Sequence, residues 1–398
     1  RRTMAAGFTL AEAVSLEAVQ AQGAALLRPA DSLFAAHPAY RLTSAGKEKR
    51  VRNGNPITAE VPEGTYRVYG ANGEFLCLSR AKDGTLTSIK NFFGAQAMAI
   101  QPEVIALGFF DGVHLGHGAL LRRTAAEAKR RGVRSAVFTW AQPPKEVVSG
   151  VPVPLINSPE DRAWLAKNLY GIDEVIMVPF DHEMMTTSWE DFITEILVKR
   201  YHAVHLVAGH DHRFGHKNQG TPALLQAKCA ELGLGCDIIP EVTVGGITVS
   251  STYIRRLVGL GQVERAMDYL GHPHILTQTV RHGRRIGRTI GIPTVNLVPP
   301  PHVLVPGDGV YVARVCLEDG SSYAAVTNVG TRPTVNNGSD LTVESWMLDF
   351  EGDLYGQSIR VEFYRRLRDE IRFDSLEALK HQIETDAESV RAYFKEKQ

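Results

Sequence analysis

The sequence predicts a multidomain chain: a small β-rich module, then a parallel α/β layer, then a barrel or sandwich of strands ending in a helix. Three observations carry this. The 398 residues exceed what one ordinary domain needs. Residues 103–271 alternate apolar strand runs with capped helical segments. The stretches on either side are rich in strands and turn dipeptides and poor in intervening helices.

In the first stretch, about residues 1–98, "FTLAEAVSLEAVQ" reads as a short helix. "VPEGTYRVYGANGEFLCLSRAKDGTLTSIKNFF" follows as strands broken at Asn72-Gly73 and Asp83-Gly84. Those dipeptides favour hairpin turns because Asn, Asp and Gly tolerate positive φ. The chain begins with Arg1-Arg2-Thr3 rather than methionine, as expected of a fragment or a processed end.

The second stretch gives strands "EVIALGF", "RSAVFTW", "EVIMV", "AVHLVAG" and "CDIIP". Between them lie helices: 118–131, ended by Gly132, and three more capped by Ser158-Pro159, Ser188 and Thr221-Pro222. Five strands separated by helices predict a parallel sheet covered on both faces, with its ligand beyond the carboxyl ends of the strands. In the third stretch, "GVYVARVCL", "SYAAVTNVG", "LTVESWMLDF" and "SIRVEFY" read as strands. A last helix, capped by Asp374 or Ser375, closes the chain.

Formal net charge is zero, so any anion site must be local rather than a global field. Cys77, Cys229, Cys236 and Cys316 form no C-x-x-C pair, which fits a reducing cytoplasm better than a disulfide scaffold. No apolar run is long enough to span a bilayer, and no signal-peptide pattern opens the chain.

"GFFDGVHLGH" (108–117) sits between a strand and a helix. Gly108, Gly112 and Gly116 let backbone approach a ligand, and a helix start points free N–H groups at an anion. His114 and His117 can donate hydrogen bonds to phosphate oxygens there. Zinc is disfavoured, since H-x-x-H lacks a nearby third ligand, and no Walker loop is present. Later, Ser250, Ser251 and Thr252 would cap a helix and leave Arg255 one turn in, a second phosphate clamp; taken alone, the segment is better read as an ordinary capped helix with a solvent arginine.

"VRHGRRIGRTIGIPTVNL" (280–297) interleaves glycines and arginines, a pattern that can wrap polyphosphate or face RNA. Thr294 and Asn296 add oxygen donors of the kind Mg²⁺ accepts. By period two, Glu344 shares a strand face with Trp346 and Leu348. A partly buried glutamate there could serve as a base; a solvated face is equally compatible with the strand alone.

Taken together, "LGFFDGVHLGH", "GHDHRFGHKNQG" and "VSSTYIRRLVGLGQVERAMDYLGHP" resemble the FMN adenylyltransferase module of bacterial bifunctional riboflavin kinase/FAD synthetases. "GRTIGIPTVNL", "NVGTRPTV", "VESWMLDFEGDLYG" and "LRDEIRFDSLEALKHQI" resemble the riboflavin kinase module of the same enzymes. The resemblance covers roughly 103–398. It implies a Rossmann-like nucleotidyltransferase domain (99–271) and a six-stranded riboflavin kinase barrel with a closing helix (272–398). It implies phosphorylation of riboflavin to FMN and adenylylation of FMN to FAD, with ATP as co-substrate and Mg²⁺ as cofactor. Catalytic roles fall to Glu344, as base, and to His114 and His117. ATP and phosphate binding fall to Gly108, Asp111, Gly116, Asp211, Ser251, Thr252, Arg255, Gly283, Arg284, Gly287 and Arg288. Arg368 would lie near the flavin, and Thr294 and Asn296 would hold the metal. The chain departs from the family at His210 and His212, where Gly-Glu-Asp/Asn-Phe is usual, and at Val295, where alanine is usual.

"RRTMAAGFTLAEAVSLEAV" and "NGNPITAEVPEGTYRVYGANGEFLCLSR" resemble the carboxyl-terminal tail of bacterial tRNA pseudouridine synthase B, with its PUA-like module. That resemblance implies no synthase activity, because the family's catalytic aspartate lies upstream; it leaves open a vestigial fusion, a joining of neighbouring reading frames, or a surviving module with weak RNA contact. The competing reading is an RNA-binding module fused to inactive or kinase-only flavin domains.

Overall fold

The computed structural model describes residues 4–5, 8–9, 29–52, 55–91, 101–282, 291–333 and 339–396. They divide into two compact units, Arg1–Ile100 and Gln101–Gln398. In the first, Ala39–Arg41, Gly64–Tyr69, Phe75–Lys82, Thr85–Asn91 and Ile57–Thr58 form a mixed sheet in that order. Its core includes Leu42, Val68, Leu76 and Leu86. Gly73 has φ +84°, and Asp83 and Gly84 have φ +50° and +70°, so both expected turns form. The helix expected from Phe8 is absent at its start: Phe8–Thr9 is extended and pairs with Met4–Ala5. Residues 10–28 lie outside the described residues.

The second unit begins with five parallel strands, in the order Glu174–Val178, Arg134–Trp140, Glu103–Leu107, Ala203–Gly209, Gly235–Ile239. All five residues of Glu103–Leu107 are buried. Ile105 and Leu107 pack with Phe138, Phe192 and Leu225, while Val104 and Ala106 pack with Leu121, Leu165 and Val207. Alternate side chains therefore feed two cores, which is why the strand reads as one continuous apolar run. Strand order reverses between Glu103–Leu107 and Ala203–Gly209, and a crevice opens at the carboxyl ends of such a pair.

Two helices differ from expectation. Leu115–Arg131 starts three residues early, because the His114 ring accepts a hydrogen bond from the His117 N–H at 3.3 Å and caps it. Gly118 is thus inside the helix; a Cβ there would collide with the Tyr170 hydroxyl, so the glycine serves helix packing rather than a turn. The helix capped by Ser188 runs as Trp189–Asp191 and continues as the π-helix Phe192–Arg200. Its wider turn puts Phe192 and Leu197, five apart, in one buried cluster.

A curled antiparallel sheet completes the unit, in the order His274–Thr279, Ser358–Arg368, Gly309–Leu317, Ser322–Pro333, Ser339–Met347, Val295–Leu297. An Arg281–Asn296 bridge joins the two edges of the curl. Inside lie Leu276, Tyr311, Val329, Val343 and Phe363. Outside, Val310, Val312 and Val326 meet Ala387, Val390 and Tyr393 of the helix Leu376–Lys395. Ser375, not Asp374, caps that helix. Among the described residues no helix is long and apolar enough to cross a membrane.

Candidate functional site

Loop 108–114 leaves the strand at the point of order reversal and turns back through left-handed residues: φ is +57° at Phe110, +84° at Gly112 and +39° at Val113. Val113 and Phe110 are not glycine, so this backbone is strained and needs clamps. It has them. The Phe109 carbonyl accepts from the Thr139 hydroxyl (2.9 Å) and Arg162 (2.6 Å). The Asp111 carbonyl accepts from the Ser251 hydroxyl (2.8 Å), and the Gly112 carbonyl lies 3.0 Å from His272 Nε2. In a trans peptide each clamped carbonyl turns the next N–H to the opposite side.

Asp111 departs from its expected role. It is 1% exposed and spends both oxygens on the protein. Oδ1 accepts from the Ile156 N–H (2.9 Å) and Oδ2 from Arg255 (2.8 Å). Burial raises its carboxyl above the ordinary range, and the Arg255 guanidinium opposes that. It holds Arg255. Among the three expected caps, Ser250 alone caps Ser251–Gly259; Ser251 clamps the loop, and Thr252 is exposed. A Cβ on Gly116 would lie 3.9 Å from the Val249 carbonyl, so the starts of the two helices are neighbours. Two positive helix ends beside Arg255 suit a polyphosphate.

The His114 and His117 rings stack at 3.6 Å and 12°. Burial pushes His114 down to about 4 and His117 well below the ordinary histidine range, so both are neutral. Because His114 Nδ1 accepts a backbone N–H, its proton sits on Nε2, available as a donor. His117 Nδ1 is buried without a partner. Gly108 is filled on its Cβ side by the Phe110 ring at 3.0 Å, and Gly116 by the His114 ring at 3.1 Å. Across the crevice, His210 and Asp211 are exposed. His212 stacks on Phe214 (5.5 Å, 17°) and is held neutral by burial, at about 4. Arg162 is a signal missed in the sequence: 2% exposed, it lies 4.5 Å over the Phe109 ring and also bonds the Trp140 carbonyl at 3.0 Å.

The second constellation forms around a cavity of about 620 Å³ between the curled sheet and its helix. Thr294, Glu344, Trp346 and Arg368 line it, with Asn328, Glu370 and Phe373, which the sequence did not signal. Asn296, Glu344 and Asn328 are direct cross-strand partners and share one face. Glu344 is half-buried, and Val343, Ser345 and Met347 take the other face. Arg368 grips the buried Asp386 at 2.8 Å and 3.1 Å. Val295 packs against the inner core and lines a smaller cavity of about 320 Å³ that Thr294 also borders. Gly283, Arg284, Gly287 and Arg288 lie outside the described residues.

Residues 96–253 match the FAD synthetase family, and residues 270–394 match the riboflavin kinase family. Bifunctional riboflavin kinase/FMN adenylyltransferases are similar along most of the chain. That of Listeria monocytogenes is 34% identical, covering 73% of this chain and 92% of its own. That of Haemophilus influenzae is 35% identical, covering 74% and 95%. That of Escherichia coli is 36% identical, covering 73% and 92%. A solved structure, described as a macrolide-efflux protein from Streptococcus pneumoniae, superposes with TM-score 0.65 at 31% identity over 73% of this chain and 94% of its own. With two sites of this geometry and relatives that match through both, the chain belongs to the bifunctional riboflavin kinase/FMN adenylyltransferase family and makes FMN and FAD.

Proposed function

We propose that the two steps divide between residues 272–398, which phosphorylate riboflavin, and residues 99–271, which adenylylate FMN. The observation that carries the first is one cavity lined by Thr294, Glu344 and Arg368. Glu344 takes the proton of the terminal ribityl hydroxyl as that oxygen attacks the γ-phosphorus of ATP, and ADP leaves. Arg368, fixed by Asp386, borders the flavin. The Thr294 hydroxyl and Asn296 amide are hard oxygen donors and fit Mg²⁺. Among the described residues no cluster of three His, Cys, Asp or Glu could hold a metal, so water and phosphate oxygens would complete the shell, as this ion prefers. Bound there, Mg²⁺ supplies charge neutralisation at the transferred phosphoryl group.

In the α/β domain an FMN phosphate oxygen attacks the α-phosphorus of ATP, and pyrophosphate leaves. The nucleophile is already ionised, so positioning and charge stabilisation do the work rather than a base. His114 donates from Nε2, His117 stacks behind it, and Arg255 and the two helix starts face the phosphates. His212 supplies a flat neutral ring where the family carries phenylalanine, which supports retained FAD synthesis. The four free thiols support a reducing, cytoplasmic setting. Residues 1–98 fit a PUA-like module with weak RNA contact; RNA retention lost on deleting them tests this.

The full chain, incubated with riboflavin, ATP and Mg²⁺ and resolved by chromatography, should yield FMN and then FAD. Absence of both products sinks the reading. FMN alone would remove the adenylyl assignment and favour a kinase-only chain.

A further inference from the structure

The loop clamps come from the α/β domain itself, with one exception. His272 stands at the entry to the curled sheet, two residues before its first strand His274–Thr279. It is 6% exposed, with Nε2 3.0 Å from the Gly112 carbonyl oxygen and Nδ1 2.8 Å from that of Pro273. Gly112 has φ +84°, and a Cβ there would meet Ile156 at 2.9 Å, so the peptide has little room; among the described residues His272 is its side-chain partner. The strand that His272 leads into is bonded to the same neighbourhood. The Ile275 carbonyl accepts from Asn157 (3.4 Å), whose own N–H reaches Asp111 (3.4 Å), and the Thr277 N–H donates to Asp161 (3.1 Å).

We propose that His272 is a positioning residue for FMN adenylyl transfer: from the kinase half of the chain it fixes the Gly112 carbonyl, and with it the loop that meets the nucleotide phosphates. The inference rests on reading loop 108–117 as the adenylyl site. Burial disfavours the charged ring, and a neutral imidazole carries a single N–H. Only the tautomer protonated on Nε2 serves Gly112. The two amide substitutions separate these contacts, since Gln places its NH₂ near the position of Nε2 and Asn near that of Nδ1.

The test uses the full chain, with FAD formation from supplied FMN and FMN formation from riboflavin measured on each preparation. His272→Ala should lower kcat for FAD formation about tenfold, the rate equivalent of one such hydrogen bond, with KM for FMN little changed. FMN formation should be unaffected, and His272→Gln, not His272→Asn, should restore FAD formation. A His272→Ala rate within twofold of wild type, a joint fall of both activities, or rescue by Asn or by neither amide overturns the proposal. His117→Ala is the control on the underlying reading: full adenylyl transfer in that variant overturns the loop assignment and this inference with it.

Discussion

Arg255→Met tests the electrostatics of loop 108–114. The substitution removes the guanidinium 2.8 Å from Asp111 Oδ2 and leaves a carboxylate that is 1% exposed. Breaking a buried pair by removing one partner costs about 3–5 kcal/mol. The Arg255 side chain keeps 24% of its exposure, which places the loss near the low end, about 3 kcal/mol. That is roughly a hundredfold in the unfolding equilibrium. The loss depends on pH. The Asp111 carboxyl is already raised by burial in the folded chain, so its favourable contribution is present below its unfolded value and fades as pH rises through the folded one. Without Arg255 the folded value rises further, so the deficit should be larger at pH 8 than at pH 5. Asp111→Asn in the same chain removes the buried charge and should recover at least half the loss. Urea unfolding followed by tryptophan fluorescence reads this domain, because Trp140, Trp164 and Trp189 are three of the four tryptophans. A variant that unfolds at the wild-type midpoint, or with a deficit equal at both pH values, would refute the ion-pair argument.

The strands and caps of the α/β layer were legible because strand runs buried on both faces and capping residues are local signals. Leu-Gly-His-Gly at 115–118 carries no local helix signal, because nothing in the sequence shows that Gly118 faces Tyr170. The pairing of His114 with Ser251 and Arg255 was visible as motif order, but the place of Asp111 in it was not. A carboxylate in a phosphate loop looks like a ligand until its Arg255 partner, distant in sequence, is seen beside it. Arg162, Asn328, Glu370 and His272 escaped notice for the same reason: each acts across elements, with no pattern of its own. Glu344 lay between, since its strand gave the face but not the helix that covers it.

Burial holds His114, His212 and His274 neutral, at about 4. The unfolded chain takes up protons first as pH falls below the ordinary histidine value, so thermal stability should decline from about pH 6.5 toward 4. A ring of His114, His212 or His274 that titrates at about pH 6.5 in the NMR spectrum of the folded chain would contradict their burial. Arg368→Lys loses the forked contact with Asp386; KM for riboflavin should rise about tenfold while FAD formation from FMN is unchanged. Gly118→Ala overpacks against Tyr170 and should destabilise by about 1–3 kcal/mol in urea.

The central claim is that two chemically separate sites act in one chain, and Glu344→Gln tests it most directly. Given riboflavin, ATP and Mg²⁺, this variant should form FMN about 10²–10⁴ times more slowly than wild type, the usual loss on removing a general base. Given FMN instead of riboflavin, it should make FAD at the wild-type rate. Undiminished FMN formation, or loss of both activities together, would contradict the account.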